Sequence, residues 1–80
     1  MKESVISLYK MIHNPNLNEQ EKIAIIDGIY ALNENIDKIR DPRKSILELS
    51  KLYLPQFDKE QKGYITEAIH KLVDLLDNTK

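Results

Sequence analysis

The chain has 80 residues, 41% of them apolar, and its 12 basic and 13 acidic side chains leave a formal charge of -1. A chain this short holds one domain and buries roughly 60% of its unfolded surface, and so even a balance excludes the broad basic surface of a general nucleic-acid binder. There is no cysteine, which excludes disulfides, thiol catalysis and Cys-ligated zinc.

No apolar run approaches the ~18 residues of a membrane-spanning helix. The opening stretch Met1 to Ile6 is interrupted by charge and hydroxyls and does not read as the apolar core of an export signal. A cytoplasmic protein is the expectation. Apolar periodicity then predicts helices throughout. The first covers about 2–13, with Val5, Leu8 and Ile12 on one face and Tyr9 beside them. Asn14-Pro15-Asn16 ends it, because the residue before a proline is pushed out of the helical region.

The second helix, expected over 19–39, carries the strongest stripe. Ile25, Ile29, Leu32, Ile36 and Ile39 recur at alternating intervals of four and three, and Ile26 and Tyr30 widen the face. Asn18 is placed to cap the first turn, with Glu21 three residues on to complete a capping box. Gly28 inside this helix costs about 1 kcal/mol relative to alanine and reads as a point where another helix comes close.

Asp41 is a good N-cap, and Pro42 after it stands where its missing amide is harmless. The third helix is expected over 42–53, with Ile46, Leu49 and Tyr53 on a face flanked by Leu47, Leu52 and Leu54, and Pro55 stopping it. Asp58 and Gln61 form a second capping box for a fourth helix over 59–77, where Ile65, Ile69, Leu72 and Leu76 repeat the spacing and Ala68, Val73 and Leu75 broaden it. Phe57 is expected to plug one end. Short connections force antiparallel neighbours, so the fold class is all-α: a single domain, 1–80, built as an antiparallel up-down four-helix bundle.

Catalytic constellations are weak. His70 has Thr66, Glu67 and Asp74 at helical spacing but no second histidine, which favours a surface cluster with partial ion pairing over a metal site. The small all-helical chorismate mutases need a long first helix bearing basic residues; here that helix is short and carries only Lys2 and Lys10. No enzyme activity, cofactor or metal is expected. The charge pattern points to partner binding instead. Lys38, Arg40, Arg43 and Lys44 crowd one turn, and Arg43 and Lys44 fall at a helix N-terminus, where the dipole disfavours cations. An unfavourable placement of this kind marks a surface for lipid headgroups or an acidic partner, against the plain alternative of a solvated turn. Asp74 and Asp77 oppose the dipole at the end of the fourth helix, and Tyr64, beside Gly63, is the tyrosine best placed for an interface.

Three stretches carry a family likeness: Ile12-His13-Asn14-Pro15-Asn16-Leu17-Asn18-Glu19-Gln20-Glu21-Lys22, the Leu32-Asn33-Glu34 within 29–35, and Leu47-Glu48-Leu49-Ser50-Lys51-Leu52 with Leu54. In them the chain resembles the pediocin-like (class IIa) bacteriocin immunity proteins, the enterocin A immunity family, over nearly its whole length. The resemblance implies a cytoplasmic antiparallel four-helix bundle that protects a Gram-positive cell from a secreted antimicrobial peptide. Relatives bind the peptide-occupied permease of the mannose phosphotransferase system without catalysis. The resemblance also places specificity in the C-terminal half, here the third and fourth helices and the tail, including Tyr64, Glu67, His70, Lys71, Asp74 and Asp77. The Lys38–Lys44 turn would steer the protein to anionic lipid or to the cytoplasmic side of the permease, making it peripherally membrane-associated. Two other readings share the same sequence features: a small helical regulatory module that binds a cytosolic protein, and a weak homodimer in place of a monomer.

Overall fold

The computed structural model describes residues 3–52 and 57–78. Among them the secondary structure is helical and contains no strand: α1 (Glu3–Met11), α2 (Glu19–Leu32), a 3-10 turn (Ile36–Lys38), α3 (Pro42–Lys51) and α4 (Lys59–Asn78). α2 packs against α1, α3 and α4, and α1 also packs against α4. The result is the expected four-helix bundle. Gln20 near the start of α2 shares a crevice with Glu48 late in α3, while Asp27 faces Asp41 and Ser45 at the start of α3, so these two helices run antiparallel.

The helix starts follow local chemistry. The Asn18 side chain accepts from the Glu21 amide at 2.8 Å and the Glu21 carboxylate accepts from the Asn18 amide at 2.8 Å. The same reciprocal pair opens α4 between Asp58 and Gln61, at 3.0 and 2.8 Å. Asp41 caps α3 by accepting from the Lys44 amide at 3.2 Å, with Pro42 in the first turn. Each cap satisfies an amide that the helix itself leaves free and contributes about 1 kcal/mol.

The core is aliphatic. Leu8, Ile25, Leu49, Leu52, Ile65 and Leu72 are fully buried, one or two from each helix or its end, and each such side chain stabilises the fold by about 1.5–3 kcal/mol relative to exposure. Phe57 and Leu17, both from connections, are buried members of this cluster. Gly28 lies against α4: a Cβ built on it would stand 2.9 Å from the Cβ of Ala68. That is the close approach its position in the stripe predicts.

The second helix departs from expectation. It stops at Leu32, not at 39. Asn33 forms the C-cap, Glu34 adopts a left-handed conformation with φ 61°, and the amides of Glu34 and Asn35 donate to the carbonyls of Ala31 and Tyr30 at 3.0 and 2.8 Å. This is a Schellman motif with glutamate in the position that glycine usually fills. Asn33 and Asn35 suit such an end because their side chains compete with helical hydrogen bonding. Ile36 and Ile39 kept the helical spacing in the sequence, yet Ile36 is 47% exposed and Ile39 is only half-buried. The first helix likewise ends at Met11, two residues short of 13, with turn residues leading into Asn14-Pro15. Within α3, Leu47 points outward at 54% exposure, and in α4 Val73 is 38% exposed. Lys2, Tyr53, Leu54 and Pro55, which the sequence reading assigned to helix or helix stop, lie outside the described residues.

Candidate functional site

The early end of α2 has a consequence at Asp27. If the helix had continued, residue 40 would lie about 20 Å further along the axis from residue 27. Instead the chain doubles back, and the Arg40 amide donates to Asp27 Oδ1 at 3.1 Å. The Asp41 amide and the Ser45 hydroxyl donate to Oδ2 at 3.3 and 2.6 Å. Asp27 is 1% exposed and Ser45 3%. Removing a carboxylate from water is unfavourable unless donors replace the solvent, and here two amides and a hydroxyl do so. The carboxylate therefore ties the turn between α2 and α3 to the middle of α2. In sequence Asp27 belongs to no motif or charge cluster. Its signal was a lone acid inside the otherwise apolar Ile23-Ala24-Ile25-Ile26-Asp27-Gly28-Ile29.

The four cations that the sequence singled out sit on the turn so anchored. Lys38, Arg40, Arg43 and Lys44 are all exposed. The Lys38 Nζ stands 5.9 Å from the centroid of the Tyr30 ring, a cation–π contact. None of the four is ion-paired: among the described residues the ion pair is Lys71 Nζ to Glu34 Oε1, at 3.5 Å. Between α2 and the turn lies an open depression of about 360 Å³. Ile23, Ile26 and Tyr30 form its apolar lining, and Asp27, Lys38 and Arg40 its polar lining. On the other side of Asp27 a crevice of about 50 Å³ reaches toward Lys44 and Glu48, room for a water or two.

The candidates on α4 divide differently. Glu67, His70, Asp74 and Asp77 are exposed along its outer side. No ion pair or hydrogen bond joins Glu67, His70 and Asp74, so the expected partial ion pairing of that cluster is not present. Among the described residues no group of three or more His, Asp or Glu side chains is arranged to hold a metal ion. Lys71 turns away from that strip toward the end of α2, where it meets Glu34. Tyr64 lies toward α1: its hydroxyl donates to Glu60 Oε1 at 3.2 Å, and it shares a shallow hollow with Glu3, Ile6 and Lys10. Desolvation by its neighbours, then the hydrogen bond to Glu60, then the charges of Glu3, Glu60 and Glu67 raise the Tyr64 pKa above its ordinary value.

Lys38 and Arg40 thus share one depression, Lys44 lines the crevice on the other side of Asp27, Arg43 is exposed on the same connection, and the α4 residues line neither hollow. Among the described residues no helix is long and apolar enough to cross a membrane. No family model matches the chain, and no curated protein and no solved structure matches it.

Proposed function

We propose that this chain is a small helical module that acts by binding a protein partner, without chemistry of its own. The observation that supports this reading is the cationic corner. A buried carboxylate, Asp27, holds the Arg40-Asp41 backbone in one position, and the turn so held presents four cations with no carboxylate partner. Unpaired charge on a held stretch of backbone favours rapid, selective encounter with an acidic surface. The four-helix core supplies the rigid support.

The resemblance to bacteriocin immunity proteins names one such partner, the peptide-occupied permease at the cytoplasmic side of the membrane, and rests on the residues quoted for it. A challenge assay tests that specific form. A sensitive Gram-positive host expressing the chain is exposed to a panel of pediocin-like peptides, and protection against one or a few of them supports immunity. Uniform sensitivity removes immunity and leaves the regulatory form. The broader reading is tested by crosslinking the tagged chain in host extract, identifying the partner and reconstituting the pair from purified components. A saturable isotherm with fixed stoichiometry supports it. Failure of every recovered protein to bind in purified form counts against it.

A further inference from the structure

Resting on the reading of the chain as a protein-binding module, we infer that the depression between α2 and the 38–40 turn is the docking groove, and that its occupant is an acidic amphipathic helix of the partner. The floor is a second apolar stripe on α2. Ile23, Ile26 and Tyr30 fall at i, i+3 and i+7, on a different side from Ile25, Ile29 and Leu32, which face the core. Each of the three is only half-buried. Together they extend over about 10 Å of helix, two turns, which matches the i, i+3/i+4, i+7 anchors of a helix laid into a groove.

Charge decides what kind of helix fits. The polar lining of the groove is Lys38, Arg40 and Asp27; neither cation is ion-paired, and the buried Asp27 carboxylate is engaged by the Arg40 and Asp41 amides and the Ser45 hydroxyl. Lys38 is held near Tyr30 by the cation–π contact, and Arg40 is fixed at its amide by Asp27. Two unpaired cations beside an apolar row complement an apolar row flanked by carboxylates. A lipid surface is the poorer match. Asp37 and Asp41 lie among the cations and weaken the net positive field that draws a protein to anionic lipid, whereas they leave discrete pairing at Lys38 and Arg40 intact.

The test titrates labelled protein with a synthetic amphipathic helical peptide whose leucine stripe is flanked by glutamates, and with the same peptide bearing lysines in their place. The amide resonances of residues 23–30 and 38–40 are followed by NMR. The acidic peptide is expected to shift those resonances and to bind at least about tenfold more weakly to the K38E/R40E double variant. Both substitutions are at exposed positions, so the fold is retained, and circular dichroism checks it. The lysine peptide is expected to prefer the double variant. Ile26→Ser serves as a second variant that removes floor without touching charge, and it too is expected to weaken the acidic peptide.

Absence of binding by the acidic peptide overturns the inference, as do equal binding to the double variant and shifts confined to the outer face of α4. Partition onto phosphatidylglycerol vesicles with no response to peptide overturns it in favour of a lipid surface. Concentration-dependent sedimentation that the double variant abolishes overturns it in favour of a second copy of this chain. The reading beneath it fails separately. A reconstituted natural partner that binds the double variant as tightly as the wild type removes the groove and leaves the module. Loss of every natural partner while the acidic peptide still binds the groove leaves the groove and removes the module.

Discussion

The two glycines of this chain should respond to the same substitution with opposite signs. In Gly28→Ala the new methyl would stand 2.9 Å from the Cβ of Ala68 and 3.7 Å from a Leu49 methyl. Ala68 Cβ is fixed to its backbone, so it cannot swing aside, and α2 and α4 must separate by several tenths of an ångström. Overpacking of this kind costs about 1–3 kcal/mol, against a gain of about 1 kcal/mol from replacing glycine within a helix. The net is a loss of about 0–2 kcal/mol. In Gly63→Ala nothing lies within 4 Å of the new atom, so only the gain of up to about 1 kcal/mol remains. For a domain of this size each kcal/mol shifts Tm by about 4–8 °C. Thermal and urea unfolding of the two variants beside the wild type would measure the contrast. Adding Ala68→Gly to Gly28→Ala moves the methyl from one helix to the other and should recover stability to within about 0.5 kcal/mol of wild type, a coupling that independent sites do not show. A Gly28→Ala protein as stabilised as Gly63→Ala would refute the argument that helix proximity keeps glycine at this position.

Other outcomes follow from the turn and its anchor. Asp27→Ala removes the acceptor of two amides and a hydroxyl and should destabilise by about 2–4 kcal/mol in urea unfolding, with Ser45→Ala costing about 1–2 kcal/mol; an Asp27→Ala loss below that of Ser45→Ala would contradict the anchor. Glu34→Gly relieves a left-handed residue and forfeits only an exposed ion pair, so stability should rise by up to about 1 kcal/mol, and a clear fall in Tm would argue against strain there. Because the folded state raises the Tyr64 pKa, the native protein keeps that proton while the unfolded chain releases it. Stability then declines as pH climbs from the ordinary tyrosine range near 10 through the raised value. Tyr64→Phe should lack that component of the alkaline decline, and an unchanged pH profile for the variant would show that Tyr64 does not contribute.

Much of this molecule is legible in one dimension. Helix starts are, because a cap is a contact between residues three apart: Asn18 with Glu21, Asp41 with the Lys44 amide, Asp58 with Gln61. The buried faces of α1 and α4 follow from spacing, since a helix has one period and burial selects one side. The cations at 38–44 were visible as a cluster for the same reason, being neighbours in the chain. Gly28 stood out because a glycine inside a regular stripe is unfavourable without a reason beyond the helix itself.

What the sequence could not decide were contacts made across the fold. The stripe from Ile25 to Ile39 keeps helical spacing throughout, and Asn33 and Asn35 permit an end after Leu32 without requiring one. The Schellman turn there gains its value only once Arg40, Asp41 and Ser45 converge on Asp27, between 13 and 18 residues away along the chain. For that reason Asp27 looks in sequence like a single break in an apolar run, and its role appears only when donors from another element replace its water. The groove beside it has the same origin. Ile26 and Tyr30 widen one stripe on paper, but three helices around α2 cover only part of its circumference, and the folded turn leaves those residues facing an open, cation-edged surface. Local hydrogen bonding and helical period were set by near neighbours. Which apolar face stays uncovered, and which charge is buried, were settled by how the helices close on one another.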